Sequence, residues 1–290
     1  MSDQSTAYKV LFADNIKLLA QQKNARLVPC VMVDNDFKGE RKTYDQLSTI
    51  DPVEIMSRDQ DTQSMQPDHR RRNVFPRQFV TNLFADKADV YQMVSNPNSA
   101  YMMASVAGQK RKQDDIIIAA FNATAYTGKN GTSTQTFTAA NQVAVTVGPG
   151  TATGLNKAKV LRAKRLLDAG EVDGEDRYAV IASVQMDNLM NLTEIASIDF
   201  NSVKALVEGT MNRWLGFEFI RSERLGTSSG YRLCYFWQKM AMLIGIMQDI
   251  ETRIDPRPDK NYLEQVYTRQ YIGATRMEEA RIVEVSCSEA

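Results

Sequence analysis

Histidine is nearly missing from this chain of 290 residues: His69 is the single example. Histidine is the usual general base near neutral pH and a common metal ligand, so its scarcity argues against a Ser–His–Asp, Cys–His or His–metal mechanism. Cysteine is scarce as well. Cys30, Cys234 and Cys287 are odd in number and far apart, which fits neither a disulfide framework nor a zinc knuckle and leaves a reducing, cytosolic place of synthesis as the expectation. No apolar run comes near the roughly 20 residues that a membrane helix needs, and the N-terminus, MSDQSTAYKV, lacks the apolar centre of a signal peptide. Net charge is missing too. Thirty-five basic residues balance 35 acidic ones, whereas a dedicated nucleic-acid binder usually carries a basic excess. Gly148-Pro149-Gly150 reads as a turn without the Gly-Lys-Ser/Thr ending of a phosphate loop. No dinucleotide fingerprint, nucleophile elbow or internal repeat is present.

What is present is organised around residues 86–128. Asn96-Pro97 breaks the chain, Asn98 or Ser99 can cap a new helix, and from there to Ala123 no proline occurs and Gly108 is the one glycine. The pattern predicts a helix over about 98–123, roughly 35–40 Å long, stopped by Gly128. Both ends are apolar (Tyr101 to Val106, then Ile116 to Phe121), and the middle, Gln109 to Asp115, is wholly polar. Seven polar residues in a row cover every face of two turns. The expectation is therefore a long brace with a solvated centre in an extended α+β protein that has a core, since 43% of the residues are apolar.

Before this helix, residues 7–25 carry an amphipathic helical signal. Residues 30–84 leave as a strand (VMVDND, then KTYDQLS) and return as one (RNVFPRQFVTNLFA), with some twenty-five largely polar residues between. A loop that long is usually functional or disordered, and a protruding hairpin ordered by a partner is the sharper reading. Arg70, Arg71 and Arg72, with Arg77 nearby, share it with Asp59, Asp61 and Asp68. Arginine forks match carboxylates, so on a symmetric assembly one subunit's arginines can meet another's acidic loop. After the long helix, Phe137, Val143, Val145 and Val147 mark extended segments, 155–168 a helix with Gly170 as its C-cap, and Tyr178–Ala182 a buried strand. Lys157, Lys159, Arg162, Lys164 and Arg165 occupy much of that helix's remaining surface and read equally as a solvated face or a face towards nucleic acid. Short helices follow at 185–192 and 201–214, then strands at 217–220, 231–237 and towards the C-terminus.

The carboxylate pair that stands out, Asp114-Asp115, points about 100° apart on a helix, so a two-acid site would need a partner from elsewhere, and none is identifiable. Asp249, Glu251 and Asp255 lack calcium-loop spacing. The 14 methionines suit core and interface filling. No catalytic, cofactor-binding or metal-ligating residue is assigned.

The order of pieces, carried by RRR-x-VFPRQFV, ADKADVYQMVSNPNSAY, KRKQDDIIIAAFNATAYTG and IDPRPDKN…YIGATRMEEARIVEV, resembles the major capsid proteins of tailed bacteriophages with the Hong Kong-type capsid fold. The resemblance implies an N-terminal arm (1–29), an extended loop (30–84), a peripheral domain with the spine helix (85–175), an axial domain (176–250) and C-terminal strands returning to the peripheral domain (251–290). It implies pentamers and hexamers closing into an icosahedral shell around double-stranded DNA. Neighbouring capsomers would touch through arm and loop, portal, scaffolding and cement proteins would be further partners, and there would be no cofactor and no membrane. The chain would be made in the bacterial cytoplasm and end in the virion. Arg70, Arg71, Arg72, Arg77, Asp59 and Asp61 then become inter-subunit candidates, and Lys110, Arg111 and Lys112 candidates for weak contact with packaged DNA. Some relatives join subunits by a Lys–Asn bond catalysed by a Glu; no such trio maps onto this sequence. The rival readings are a cellular encapsulating shell of the same fold, a small hydrolase using Asp114 or Asp115, and a nucleic-acid-binding module.

Overall fold

The structure, a computed structural model, describes residues 19–59, 61, 64–85, 98–191 and 213–289. Most of the expected N-terminal helix, the 86–97 lead-in and the 201–212 part of an expected short helix lie outside these residues. The described end of the first, 19–25, is irregular, and Arg213–Trp214 is a short strand rather than a helix end. The strands are β1 (Met32–Asp34), β2 (Lys42–Leu47), β3 (His69–Val74), β4 (Arg77–Ala85), β5 (Ala125–Thr127), β6 (Ser133–Gln135), β7 (Gln142–Val143) and β8 (Arg177–Ile181). They continue as β9 (Arg213–Trp214), β10 (Phe217–Arg221), β11 (Thr227–Ser228), β12 (Tyr231–Gln238), β13 (Met242–Arg257), β14 (Leu263–Arg276) and β15 (Ile282–Cys287). The helices are α1 (Asn98–Asn122), α2 (Lys157–Ala169) and α3 (Ser183–Met190). Val145 and Val147, expected in extended chain, fall in a turn.

Two compact units form. The first takes 77–113 and 248–272 with the residues before Arg26; the second takes 26–76, 114–247 and 273–290. The helix α1 thus contributes its first 16 residues to one unit and the rest to the other.

The second unit has a seven-stranded sheet in the order β7-β15-β12-β8-β10-β9, with β11 on β12. Its central strand β12 is buried on both faces, which is why it reads as an unbroken apolar run, Leu233-Cys234-Tyr235-Phe236-Trp237. Successive side chains of a strand point to opposite faces. Tyr235 and Trp237 accordingly meet Phe121 of α1, with ring centroids 4.7 and 4.9 Å away, while Phe236 meets Phe217 at 5.0 Å. Ile117 of α1, Val160, Ala163 and Leu167 of α2, and Met186 and Leu189 of α3 complete this core.

Asn156 caps α2 by accepting from the Lys159 amide, and Gly170 ends the helix as expected. Lys159 itself is a correction: it is wholly buried, not solvated, and its ammonium donates to the carbonyls of Thr153, Gly154 and Ser286 at 2.6, 3.0 and 3.1 Å. Three carbonyl acceptors use all three of its donors, which is what lets the cation sit inside. A smaller sheet, β2-β3-β5-β6, belongs to the same unit, and β1 pairs in parallel with the start of β13.

In the first unit β4 pairs antiparallel with β14 from Arg77↔Ile272 to Ala85↔Glu264. Alternate residues of β14, Val266, Thr268, Gln270 and Ile272, are buried. They share the interior with Ser105, Gln109 and Gln113 of α1, spaced four apart and so on one helix face. The solvated helix centre expected from sequence is therefore wrong in part: Gln109, Gln113 and Asp114 are 2%, 2% and 1% exposed. The polar side chains meet polar partners. Ser105 Oγ lies 2.9 Å from Thr268 Oγ1, Gln109 Nε2 donates to Thr81 Oγ1 (2.9 Å), Gln113 Nε2 to Gln270 Oε1 (3.1 Å), and Gln270 Nε2 to the Gln109 carbonyl (2.9 Å).

Candidate functional site

Residues with catalytic potential are in structural use. Asp114 Oδ1 and Oδ2 accept the Arg26 amide at 3.1 and 2.9 Å, and Oδ1 also accepts the Leu27 amide at 3.0 Å. That carboxylate fixes the chain entering the second unit. Asp115 forms a two-pronged pair with the Arg224 guanidinium. The two acids therefore face different partners, as their helical spacing requires. All three thiols are buried. Burial pushes Cys30 up to about 11, and Cys234 is raised by its hydrogen bond to Cys287 and by burial, so neither offers a thiolate nucleophile. Among the described residues no group of three or more His, Cys, Asp or Glu side chains converges to hold a metal ion.

The surface with most chemical character is the β2–β3 hairpin. These strands pair antiparallel from Lys42↔Val74 to Leu47↔His69, and 48–68 forms the connection, without regular strands or helices among its described residues. Most of its described residues are exposed, apolar ones included: Ile55 is 69% and Met56 87% accessible. Asp59 and Asp61 are exposed on it and enter no ion pair among the described residues. Burial of the arginine cluster deepens along β3. Arg70 is exposed, and Arg71 is half-buried and pairs with Asp45 across the ladder at 2.7 Å. Arg72 is turned inward at 6% exposure, where its Nε donates to the Met277 carbonyl at 2.8 Å. Arg72 thus differs from the other two arginines: burial deepens along β3 towards Val74, where β5 flanks Arg72 and Asn73 and leaves Arg70 beyond its end. Arg77, exposed, opens β4 in the first unit.

His69 to Arg72, Lys129 and Gln135 line a cleft of about 570 Å³. The Met277 carbonyl also accepts Gln46 Nε2 at 3.0 Å, so one main-chain oxygen ties both hairpin strands to the turn after β14. That turn is held by Arg276, a residue the sequence reading did not single out. It is 1% exposed; Nη1 donates to the carbonyls of Phe121 and Ala123 at 2.9 and 2.8 Å, and Nη2 pairs with Glu279 at 2.9 Å. A guanidinium on the last carbonyls of α1 satisfies groups that every helix end leaves unpaired.

In the first unit the Lys110–Lys112 run is half-buried. Arg111 donates to Gln21 Oε1 (2.7 Å) and the Gln22 carbonyl (3.0 Å), and the Lys112 ammonium stands 5.1 Å from the Phe79 ring centroid. Two of these three DNA-facing candidates thus have partners within the chain.

A family model described as phage capsid protein matches residues 5–289. The chain belongs to the phage capsid protein family. Its fold is that of solved capsids. The capsid of cyanophage P-SCSP1u is similar at a TM-score of 0.77 with 15% identity, over 99% of this chain and 94% of that one. The capsid of cyanophage Pam1 gives 0.75 and 12% over the whole of both chains, and the capsid of a native GTA particle 0.72 and 13% over 99% and 97%. Among curated proteins none matches. The α+β Hong Kong-type capsid fold expected from sequence is the observed one, and this phage capsid protein is a structural component of a shell.

Proposed function

We propose that this capsid protein is the major shell subunit of a tailed bacteriophage, assembling as pentamers and hexamers into an icosahedral shell around double-stranded DNA. The observation that carries the reading is the family match over 5–289, joined to a fold shared along 99–100% of the chain with capsid subunits. A hairpin connection with exposed apolar side chains supports self-association, because such surface gains from being covered by a neighbour. The 1–29 arm and the 30–84 loop reach neighbouring subunits, where Arg70, Arg71, Arg72, Arg77, Asp59 and Asp61 are the candidates for charged contacts. Lys110, Arg111 and Lys112 give weak, salt-sensitive contact with the packaged genome, and no catalytic step is assigned. Portal, scaffolding and cement proteins complete the particle, made in the host cytoplasm.

The test is negative-stain microscopy of the full chain after gentle lysis. Closed shells tens of nanometres across, yielding DNA on extraction, are expected. Particles that yield a protein cargo would mean a cellular compartment. A small oligomer that stays small with scaffold and crowding agents would overturn the reading. Neutralising Lys110, Arg111 and Lys112 together should weaken DNA density at the inner wall; unchanged density would remove them from that role.

A further inference from the structure

We infer that the cleft between β3 and the β5–β6 turn is a carboxylate-binding site, and that its occupant is the acidic loop segment Asp59–Asp61 of a second copy of this chain. The inference rests on the self-assembly proposed above and goes beyond it by naming the receptor and the group received.

The cleft carries four permanent cations, Arg70, Arg71, Arg72 and Lys129, with His69 at its edge, and no carboxylate lines it. Asp45 beside it holds Arg71. Glu279 and Glu278, which also act on Arg72, are already held, the first by Arg276, Gln135 and Thr138 and the second by Arg281. Positive charge therefore remains unmatched. The decisive feature is Arg72. It is more than nine-tenths buried, Nε is satisfied by the Met277 carbonyl, and Nη1 is buried with no hydrogen-bond acceptor among the described residues. Burial pushes its guanidinium below the usual arginine range, a sign of incomplete compensation. A buried donor without an acceptor is costly, and a guanidinium fork is matched best by a two-oxygen acid. A cleft of about 570 Å³ has room for such a group with its backbone.

A phosphate would satisfy the same chemistry, but the composition favours a carboxylate from this chain. Basic and acidic residues are equal in number, so copies can neutralise one another only if surplus cations in one meet surplus anions in the next. Asp59 and Asp61 are exposed and make no ion pair among the described residues. They stand beside Ile55 and Met56, whose exposure would fall on docking.

The experiment uses charge reversal in the full chain. Arg70 and Lys129 are exposed, so Arg70→Glu with Lys129→Glu should leave the melting temperature of the subunit unchanged, while the sedimenting shell fraction falls about tenfold or more, because like charges face each other. Asp59→Arg with Asp61→Arg should do the same. All four together should restore shells, since the pairing is reversed rather than lost. If wild type forms shells and the Arg70→Glu, Lys129→Glu variant forms them equally well, the inference is overturned and the capsid reading stands. If the fourfold variant stays unassembled, the occupant is not this segment. If particles form but their DNA content falls, the cleft takes phosphate, and the inference is again overturned. If wild type forms no shell, the assembly reading and this inference fall together.

Discussion

The two halves of α1 lie in opposite kinds of interior. Ile117 and Phe121 enter an apolar core beside Trp237 and Tyr235, while Gln109 and Gln113, one to three turns earlier, are as deeply buried against threonine and glutamine side chains. The apolar core is held by area removed from water, which needs no particular partner. The polar seam is held by specific hydrogen bonds, each worth little net, and each expensive if one end is left alone. Burial by itself therefore says little about what a position tolerates: a core phenylalanine asks for volume, a seam glutamine asks for its mate.

The contrast can be broken most severely in the apolar half. Trp237→Ala removes the largest fully buried side chain, the partner of Phe121 and the donor to the Cys30 carbonyl at 2.9 Å. It should cost about 3–5 kcal/mol, read as a drop in the urea midpoint of the isolated subunit. At the boundary between halves, Asp114→Ala leaves the Arg26 and Leu27 amides without this acceptor and should cost about 2–3 kcal/mol. In the seam, Gln113→Leu strands Gln270 Oε1 and should cost about 1–3 kcal/mol, whereas adding Gln270→Leu should return part of that loss. A double variant no better than the sum of the singles would mean that the seam is not paired as described.

The smallest effect is a slope. Glu284 is buried in β15, with Oε2 unpaired, and burial raises its folded pKa although a hydrogen bond from Tyr235 opposes the shift. A carboxylate whose folded pKa lies above its unfolded value binds protons more tightly when folded. Stability is then highest below the ordinary carboxylate range and falls as pH rises through the raised value. Glu284→Gln should flatten that fall in midpoints measured upward from about pH 4.5. An unchanged slope would show that the proton is not held there.

The sequence made the ends of α1 legible to within a residue, although the expected stop at Gly128 is a correction: the helix ends at Asn122, β5 follows, and Gly128 turns the chain after it. The sequence made β12 legible because a strand covered on both faces shows as an apolar run. It concealed the seam, since Gln109 and Gln113 sit in the same QKRKQDD run as residues that reach solvent. The available signal was spacing: Ser105, Gln109 and Gln113 recur every fourth residue, and Thr268 and Gln270 every second. Arg72 was hidden for a related reason. Three identical letters in a row do not show where a strand enters the body, and only the pairing with β5, which begins at Arg72, reveals which one is covered. Arg276 gave little sign, because the carbonyls it holds at the end of α1 lie about 150 residues away in the chain.

Several buried donors in the second unit end on main-chain oxygens. Arg276 reaches Phe121 and Ala123, Arg72 reaches Met277, Trp237 reaches Cys30, and Lys159 reaches Ser286. Such a contact is spelled by one letter of the sequence, because an acceptor made of backbone stays in place whatever side chain replaces Met277 or Ser286. A pair of side chains needs two letters to change in concert. A framework pinned this way can lose most of its spelling while the path of the chain is kept, which is how 15% identity and a TM-score of 0.77 can describe the same pair of capsid subunits.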